Sequence, residues 1–173
     1  NTIKNCCGGI LVQNYKAAAN TINTSILDGK NKYKASFRYK LNTVISGNNI
    51  SLRYSPSCIT PEGIKVSGYK QESGKKGGDG FILPAGNYYI SGVTVSDNTI
   101  HTSGHGIHFL DAHGCSAYDN TIIGQNFSSK DPSKNDHDGI LVEMDSKNII
   151  INNNHISGMT RNCILVQKSS SVK

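Results

Sequence analysis

The phrase Asn-Thr-Ile, or a near copy of it, returns along the chain at Asn1, Asn20, Asn42 (as Asn-Thr-Val), Asn98, Asn120 and Asn154 (as Asn-His-Ile), at spacings of 19, 22, 56, 22 and 34 residues. Self-similarity at a period near 20 residues marks a chain built of units that bury their apolar faces only against their neighbours. With 22 residues as the unit, 34 reads as one unit plus an insertion of 12, and 56 as two units plus 12. Insertions of this kind belong in turns.

A second phrase lies between these: Gly9-Ile10-Leu11-Val12-Gln13, Gly106-Ile107-His108-Phe109-Leu110, Gly139-Ile140-Leu141-Val142-Glu143 and Cys163-Ile164-Leu165-Val166-Gln167. Its alternation is that of a strand, with Ile107, Phe109, Ile140, Val142, Ile164 and Val166 inward and His108, Leu141, Glu143, Leu165 and Gln167 outward. Period-3.6 segments rich in Ala, Leu and Glu are missing, and Ser, Gly, Thr and Asn dominate the connections, as turn chemistry requires. These features predict an all-β chain, a single-stranded right-handed parallel β-helix with coils of about 22 residues stacked ~4.8 Å apart. Residues 1–173 form one such stretch. The recurring asparagine suits a corner with left-handed backbone, and its amide can bond to the asparagine one coil away. Asp97 and Asp119, which precede corner asparagines, read as turn formers.

The segment Ile82-Leu83-Pro84-Ala85-Gly86-Asn87-Tyr88-Tyr89-Ile90 resembles the "LPAG-x-Y-x-I" segment of pectate-lyase-like β-helix proteins, although it falls mid-chain here rather than near the start of the helix. That resemblance implies the same fold and a polysaccharide partner, as in tailspike depolymerases and polysaccharide lyases. Ser103-Gly104-His105-Gly106 followed by Asp111-Ala112-His113 is similar to mannuronan C5-epimerases, with His105 in place of a tyrosine and Ala112 in place of a proline. By that likeness Asp111 and His113 would be the catalytic pair. The Gly104-His105-Gly106 step also resembles polygalacturonases, whose upstream Asn-Thr-Asp and Asp-Asp phrases are missing.

Charge divides the chain. Residues 1–76 carry 12 Lys/Arg against 3 Asp/Glu, and residues 77–173 carry 6 against 9. A basic half suits an acidic polysaccharide, while the absence of Arg clusters and RNP-like motifs excludes nucleic acid. No apolar run is long enough to span a membrane, and the start Asn1-Thr2-Ile3-Lys4 lacks the order of a signal peptide, so a leader is either removed or absent. The five cysteines show no ligand spacing and read mostly as buried small apolar residues. A solenoid needs caps and none is evident, so the chain is expected to be a fragment or to be covered by another domain or by copies of itself in a trimer. An extracellular or virion-borne setting follows from the polysaccharide reading.

Chemistry concentrates between residues 101 and 145. Aligning Gly106 with Gly139 sets His105 beside Asp138 and His108 beside Leu141 on neighbouring coils, with Glu143 one strand step away. The insertion at residues 126–137 lengthens a turn beside this strand and forms one wall of a groove, contributing Asp136 and His137 to substrate binding together with Arg161 and Gln167. Hydrolysis of a glycan would use two carboxylates, Asp138 and Glu143, with Asp136 and Asp111 in reserve. Lyase or epimerase chemistry would use His105, His108, His113 and Arg161 as base and cation. The rival to an enzyme is a non-catalytic structural or adhesive segment of a fibre. No cofactor is needed by either chemistry; Ca²⁺ is the ion that Asp136-His137-Asp138 would suit.

Overall fold

A computed structural model describes residues 1–6, 8–13, 35–52, 61–71, 86–125 and 137–173, with 35–41, 69–71 and 86–88 as backbone only. These residues form three walls of β-strands, and the chain crosses the walls in turn, once per coil. The first wall stacks β1 (Thr2–Cys6), β4 (Asn49–Leu52), β8 (Thr99–Thr102), β12 (Thr121–Gly124) and β15 (His155–Ser157). The second stacks β2 (Gly8–Gln13), β5 (Glu62–Ser67), β9 (His105–Leu110), β13 (Ile140–Glu143) and β16 (Ile164–Val166). The third holds β3 (Ala35–Ser46), β7 (Gly86–Ser96), β10 (Ala112–His113), β11 (Ser116–Tyr118), β14 (Lys147–Asn152) and β17 (Ser170–Val172). Among the described residues every pairing is parallel except that of β6 (Tyr69–Gln71), which runs antiparallel to β7. No helix there is long and apolar enough to cross a membrane.

In-register pairing turns the repeated phrases into columns. Ile3, Ile50, Ile100, Ile122 and Ile156 line up on the first wall. Ile10, Ile64, Ile107, Ile140 and Ile164 do so on the second, beside Val12, Val66, Phe109, Val142 and Val166. In the middle coils these side chains are fully buried, each contributing ~1.5–3 kcal/mol of apolar burial. In the last coil Ile164 and Val166 are 47% and 43% exposed. Gly9, Gly63, Gly106 and Gly139 form a further column because nothing larger fits: a Cβ at Gly106 would lie 2.5 Å from the carbonyl oxygen of Gly139.

The asparagine ladder exists, with different members. Asn1, Asn48, Asn98 and Asn120 each pass a side-chain amide hydrogen to the Oδ1 of the next member, ending on Asn154, at 3.0, 2.9, 2.9 and 2.9 Å. Asn42 is not among them: it lies within β3, where the following Val44 is 65% exposed. Asn20 lies outside the described residues. Asn1 and Asn48 sit 47 residues apart and Asn48 and Asn98 sit 50 apart, yet each pair is one coil apart, so the extra short coils that the 19- and 22-residue spacings implied do not separate them. The left-handed residue is also not the ladder asparagine but the one before it, Gly47, Asp97, Asp119 or Asn153, at φ of 65°, 54°, 56° and 53°. This confirms Asp97 and Asp119 as turn formers and frees the asparagine amide to bridge coils. Of the cysteines, Cys115 is buried but Cys6 and Cys163 are exposed, because the latter two lie on end coils.

Candidate functional site

The outer face of the second wall carries three rows of side chains. Glu62 and His105 are paired across β5 and β9, and Asp138 extends that row just before β13. Leu11, Lys65, His108, Leu141 and Leu165 make the middle row, and Gln13, Ser67, Leu110, Glu143 and Gln167 the third, the last by continuation of the β13–β16 register. His108 and Leu141 point outward as alternation requires, yet they are only 5% and 4% exposed, so this face is built over rather than bare.

His108 is the hub. Its Nδ1 lies 2.7 Å from Glu62 Oε1 and its Nε2 lies 3.0 Å from Glu143 Oε1. The three residues come from three successive coils and from three different rows, and make a diagonal across the wall. Only a ring protonated on both nitrogens donates to both carboxylates; a neutral ring donates to one. Each carboxylate has one more partner: Lys65 Nζ donates to Glu62 Oε1 at 2.8 Å and Gln167 Nε2 donates to Glu143 Oε2 at 2.7 Å. Burial pushes the Glu62 carboxyl up, but the hydrogen bonds and charges of His108 and Lys65 outweigh it and leave the group below its ordinary range. The ring is the floor and the two carboxylates stand higher, at 20–23% side-chain exposure against 6% for the ring. Beside Glu62 and Lys65 opens a depression of about 400 Å³, lined also by Gly8, Gly9, Ile10, Leu11 and Gln13.

His105 and Asp138 do meet, but not as an acid–base pair. The Asp138 backbone N–H donates to His105 Nδ1 at 3.2 Å, whereas Nδ1 and Asp138 Oδ2 stand 3.7 Å apart. An accepting Nδ1 means a neutral ring with its proton on Nε2. Burial, then the His108 charge, hold His105 neutral by drawing its pKa down to about 4. Asp138 is wholly buried and its carboxylate is committed: Arg161 Nε donates to Oδ1 at 3.0 Å, Arg161 Nη2 donates to Oδ2, and Asn162 Nδ2 donates to Oδ1 at 2.9 Å. Burial raises the Asp138 carboxyl, and these bonds more than reverse the effect. Among the described residues no group of three or more His, Cys, Asp or Glu side chains could hold a metal ion.

The other candidates separate from this cluster. Asp111 occupies the corner after β9 with φ 49°. His113 belongs to the third wall, where its ring stacks on Tyr89 with centroids 3.8 Å apart and Nε2 lies 3.0 Å from the Asp145 carbonyl oxygen. His137 is buried, its ring 6.1 Å from that of His105. Asp136 and the insertion at 126–136 lie outside the described residues, as do residues 82–85 of the Leu-Pro-Ala-Gly segment. Glu62 and Lys65 escaped the sequence reading although their signal is present: Gly63-Ile64-Lys65-Val66 is a fifth copy of the second phrase, between the copies at Gly9 and Gly106.

A family model described as the right-handed β-helix region matches residues 71–173. No curated protein and no solved structure matches the chain.

Proposed function

Since the chain belongs to the right-handed β-helix family, we propose that it binds and cleaves a polysaccharide laid along the outer face of the second wall, with Glu62 and Glu143 as the acid–base pair. The Glu62–His108–Glu143 diagonal carries this reading. With oxygens 2.7 and 3.0 Å from opposite nitrogens of one ring, the two carboxylates stand roughly 6–8 Å apart, close to the ~6.5–9.5 Å over which inverting glycosidases seat a bond and a water. One carboxyl protonates the leaving oxygen while the other takes a proton from water. His108 between them can return that proton to the acid, so the pair resets without help from solvent. Asp138, bonded to Arg161 and Asn162, serves instead to hold the corner beneath His105. An extracellular or virion-borne setting suits this activity.

Incubating the protein with a panel of neutral and acidic glycans and measuring new reducing ends tests the proposal. Glu143→Gln and Glu62→Gln should each lower turnover at least ~100-fold while glycan binding persists, and the fresh product should carry an inverted anomeric centre. An unsaturated, ultraviolet-absorbing product would replace hydrolysis by elimination. Glycan binding with no turnover in the unaltered protein would favour the second reading, a non-catalytic adhesive segment. That reading draws on the full set of partners that Glu62 and Glu143 already have within the wall.

A further inference from the structure

We infer that the two carboxylates are not interchangeable: Glu62 is the base that activates water, Glu143 is the acid that protonates the leaving oxygen, and Lys65 is the positioning residue that separates their roles. This rests on the glycan-cleaving reading above. The contacts differ on the two sides of the His108 ring. Glu62 Oε1 takes two donors, the Lys65 ammonium at 2.8 Å and His108 Nδ1 at 2.7 Å. Both bonds are strongest to an ionised carboxylate, and an ammonium this close favours that form. Burial raises the Glu62 carboxyl, and the bonds and charges of His108 and Lys65 more than reverse the effect. Glu143 instead meets a neutral amide: Gln167 Nε2 donates to its Oε2 at 2.7 Å, while its Oε1 faces His108 Nε2 at 3.0 Å.

One arrangement of protons satisfies all four contacts. Glu62 is ionised, the ring is neutral with Nδ1–H donating to Glu62, and an O–H on Glu143 Oε1 donates to the ring's Nε2. Exchanging the roles puts the proton on Glu62, in front of Lys65, and turns a charge-paired bond into one between an ammonium and a neutral acid. The other described titratable groups on this face are His105, opposite Glu62 in register and neutral, and Asp138 with its partner Arg161. In the step itself the water oxygen bonds to the anomeric carbon as the bond from that carbon to the leaving oxygen breaks. The water's proton passes to Glu62 Oε2, since Oε1 already holds two donors, and the Glu143 proton passes to the leaving oxygen. The step ends with Glu62 protonated and Glu143 ionised, and the proton then returns to Glu143.

Turnover of the full chain on whichever glycan of the panel is cleaved, and on the glycosyl fluoride of the same sugar, separates the roles, because fluoride departs with little need of an acid. Glu143→Gln should lose at least ~100-fold on the glycan but under about tenfold on the fluoride, whereas Glu62→Gln should lose at least ~100-fold on both. Lys65→Met should move the acidic limb of the kcat/KM profile up by about one pH unit, since without the ammonium Glu62 takes a proton more readily, and Lys65→Arg should hold the limb in place. That limb belongs to the coupled cluster, so its shift on substitution is what is read. Sparing of the fluoride by Glu62→Gln rather than Glu143→Gln, equal losses by both on both substrates, or a limb unmoved by Lys65→Met overturns the inference and leaves the cleavage reading standing. No hydrolysis of any glycan by the unaltered protein overturns both.

Discussion

Asn98 and Asn120 stand 22 residues apart in the chain and one coil apart in the fold, joined by a side-chain amide hydrogen bond of 2.9 Å. Asn98 Oδ1 in turn accepts both the backbone N–H and the side-chain amide of Asn48. Truncating it strands two buried donors on the preceding coil. Asn98→Ala should therefore cost ~2–4 kcal/mol in urea unfolding, while Asn1→Ala, at the exposed end of the same ladder, should cost under ~1 kcal/mol. Equal costs would mean that the ladder does not act as a chain of shared bonds.

Among the described residues Arg161 is the only cation bonded to the wholly buried Asp138 carboxylate. Arg161→Ala leaves that charge with Asn162 alone. Arg161 is itself 34% exposed, so screening keeps the expected loss near the low end for a buried pair, ~2–3 kcal/mol. Adding Asp138→Asn to the Arg161→Ala background should restore part of it, and a double-mutant cycle measures the coupling. Additive losses would show the pair to be incidental.

Acid should loosen the fold in two stages. His105 has a pKa near 4 when folded against an ordinary 6.5, so between these values the unfolded chain binds a proton that the folded chain refuses. Stability then falls as pH drops through this window, by up to ~3 kcal/mol. Asp138 and Glu62 are held below their ordinary values of 3.8 and 4.5. Their contribution is complete above those values and is lost as pH falls further, through their folded values. Urea midpoints measured from about pH 7 down to about pH 4 check the first stage; His105→Gln should flatten it and leave the second. A slope untouched by His105→Gln would assign the acid sensitivity elsewhere.

A methyl group placed at Gly106 would collide with the carbonyl oxygen of Gly139 and with Ile122 Cγ2, both 2.5 Å away, whereas at Gly8 it would meet nothing within 4 Å. Gly106→Ala should lose more than ~4 kcal/mol or fail to fold, and Gly8→Ala should stay within ~0.5 kcal/mol of the parent. Far-ultraviolet circular dichroism and thermal melts separate the two. A well-folded Gly106→Ala would require the coils to spread.

The stacked parallel coils and the strand of the second wall were legible because alternation and the Gly-Ile phrase repeat wherever these strands stack, and the meeting of His105 with Asp138 followed from aligning Gly106 with Gly139; the third wall, whose strands share no such phrase, was not. The coil count was not, since Asn42-Thr43-Val44 copies the corner phrase while the true corner, Asn48-Asn49-Ile50, varies its middle residue. Ladder membership is decided by the left-handed residue in front, Gly47 in this case, which no period reveals. Asp138 and Glu143 looked alike in sequence, both outward carboxylates on one strand. What separates them is Arg161 and Asn162, supplied by the next coil through a turn whose direction has no repeat. Glu62 was hidden by a break of 50 residues between ladder asparagines, across which a regular period cannot be carried.

Glu62, His108 and Glu143 ride on three different coils, and this sets what kinds of genetic change the site can survive. Residues added to or deleted from a turn lengthen one coil and leave the columns aligned, so loops can vary freely around the site. One residue inserted within β5, β9 or β13 shifts that strand against its neighbours and sends its outward side chains to the inside, dissolving the diagonal although every residue is still present. Length variation among relatives should therefore collect between the strands of the second wall and stop at their ends.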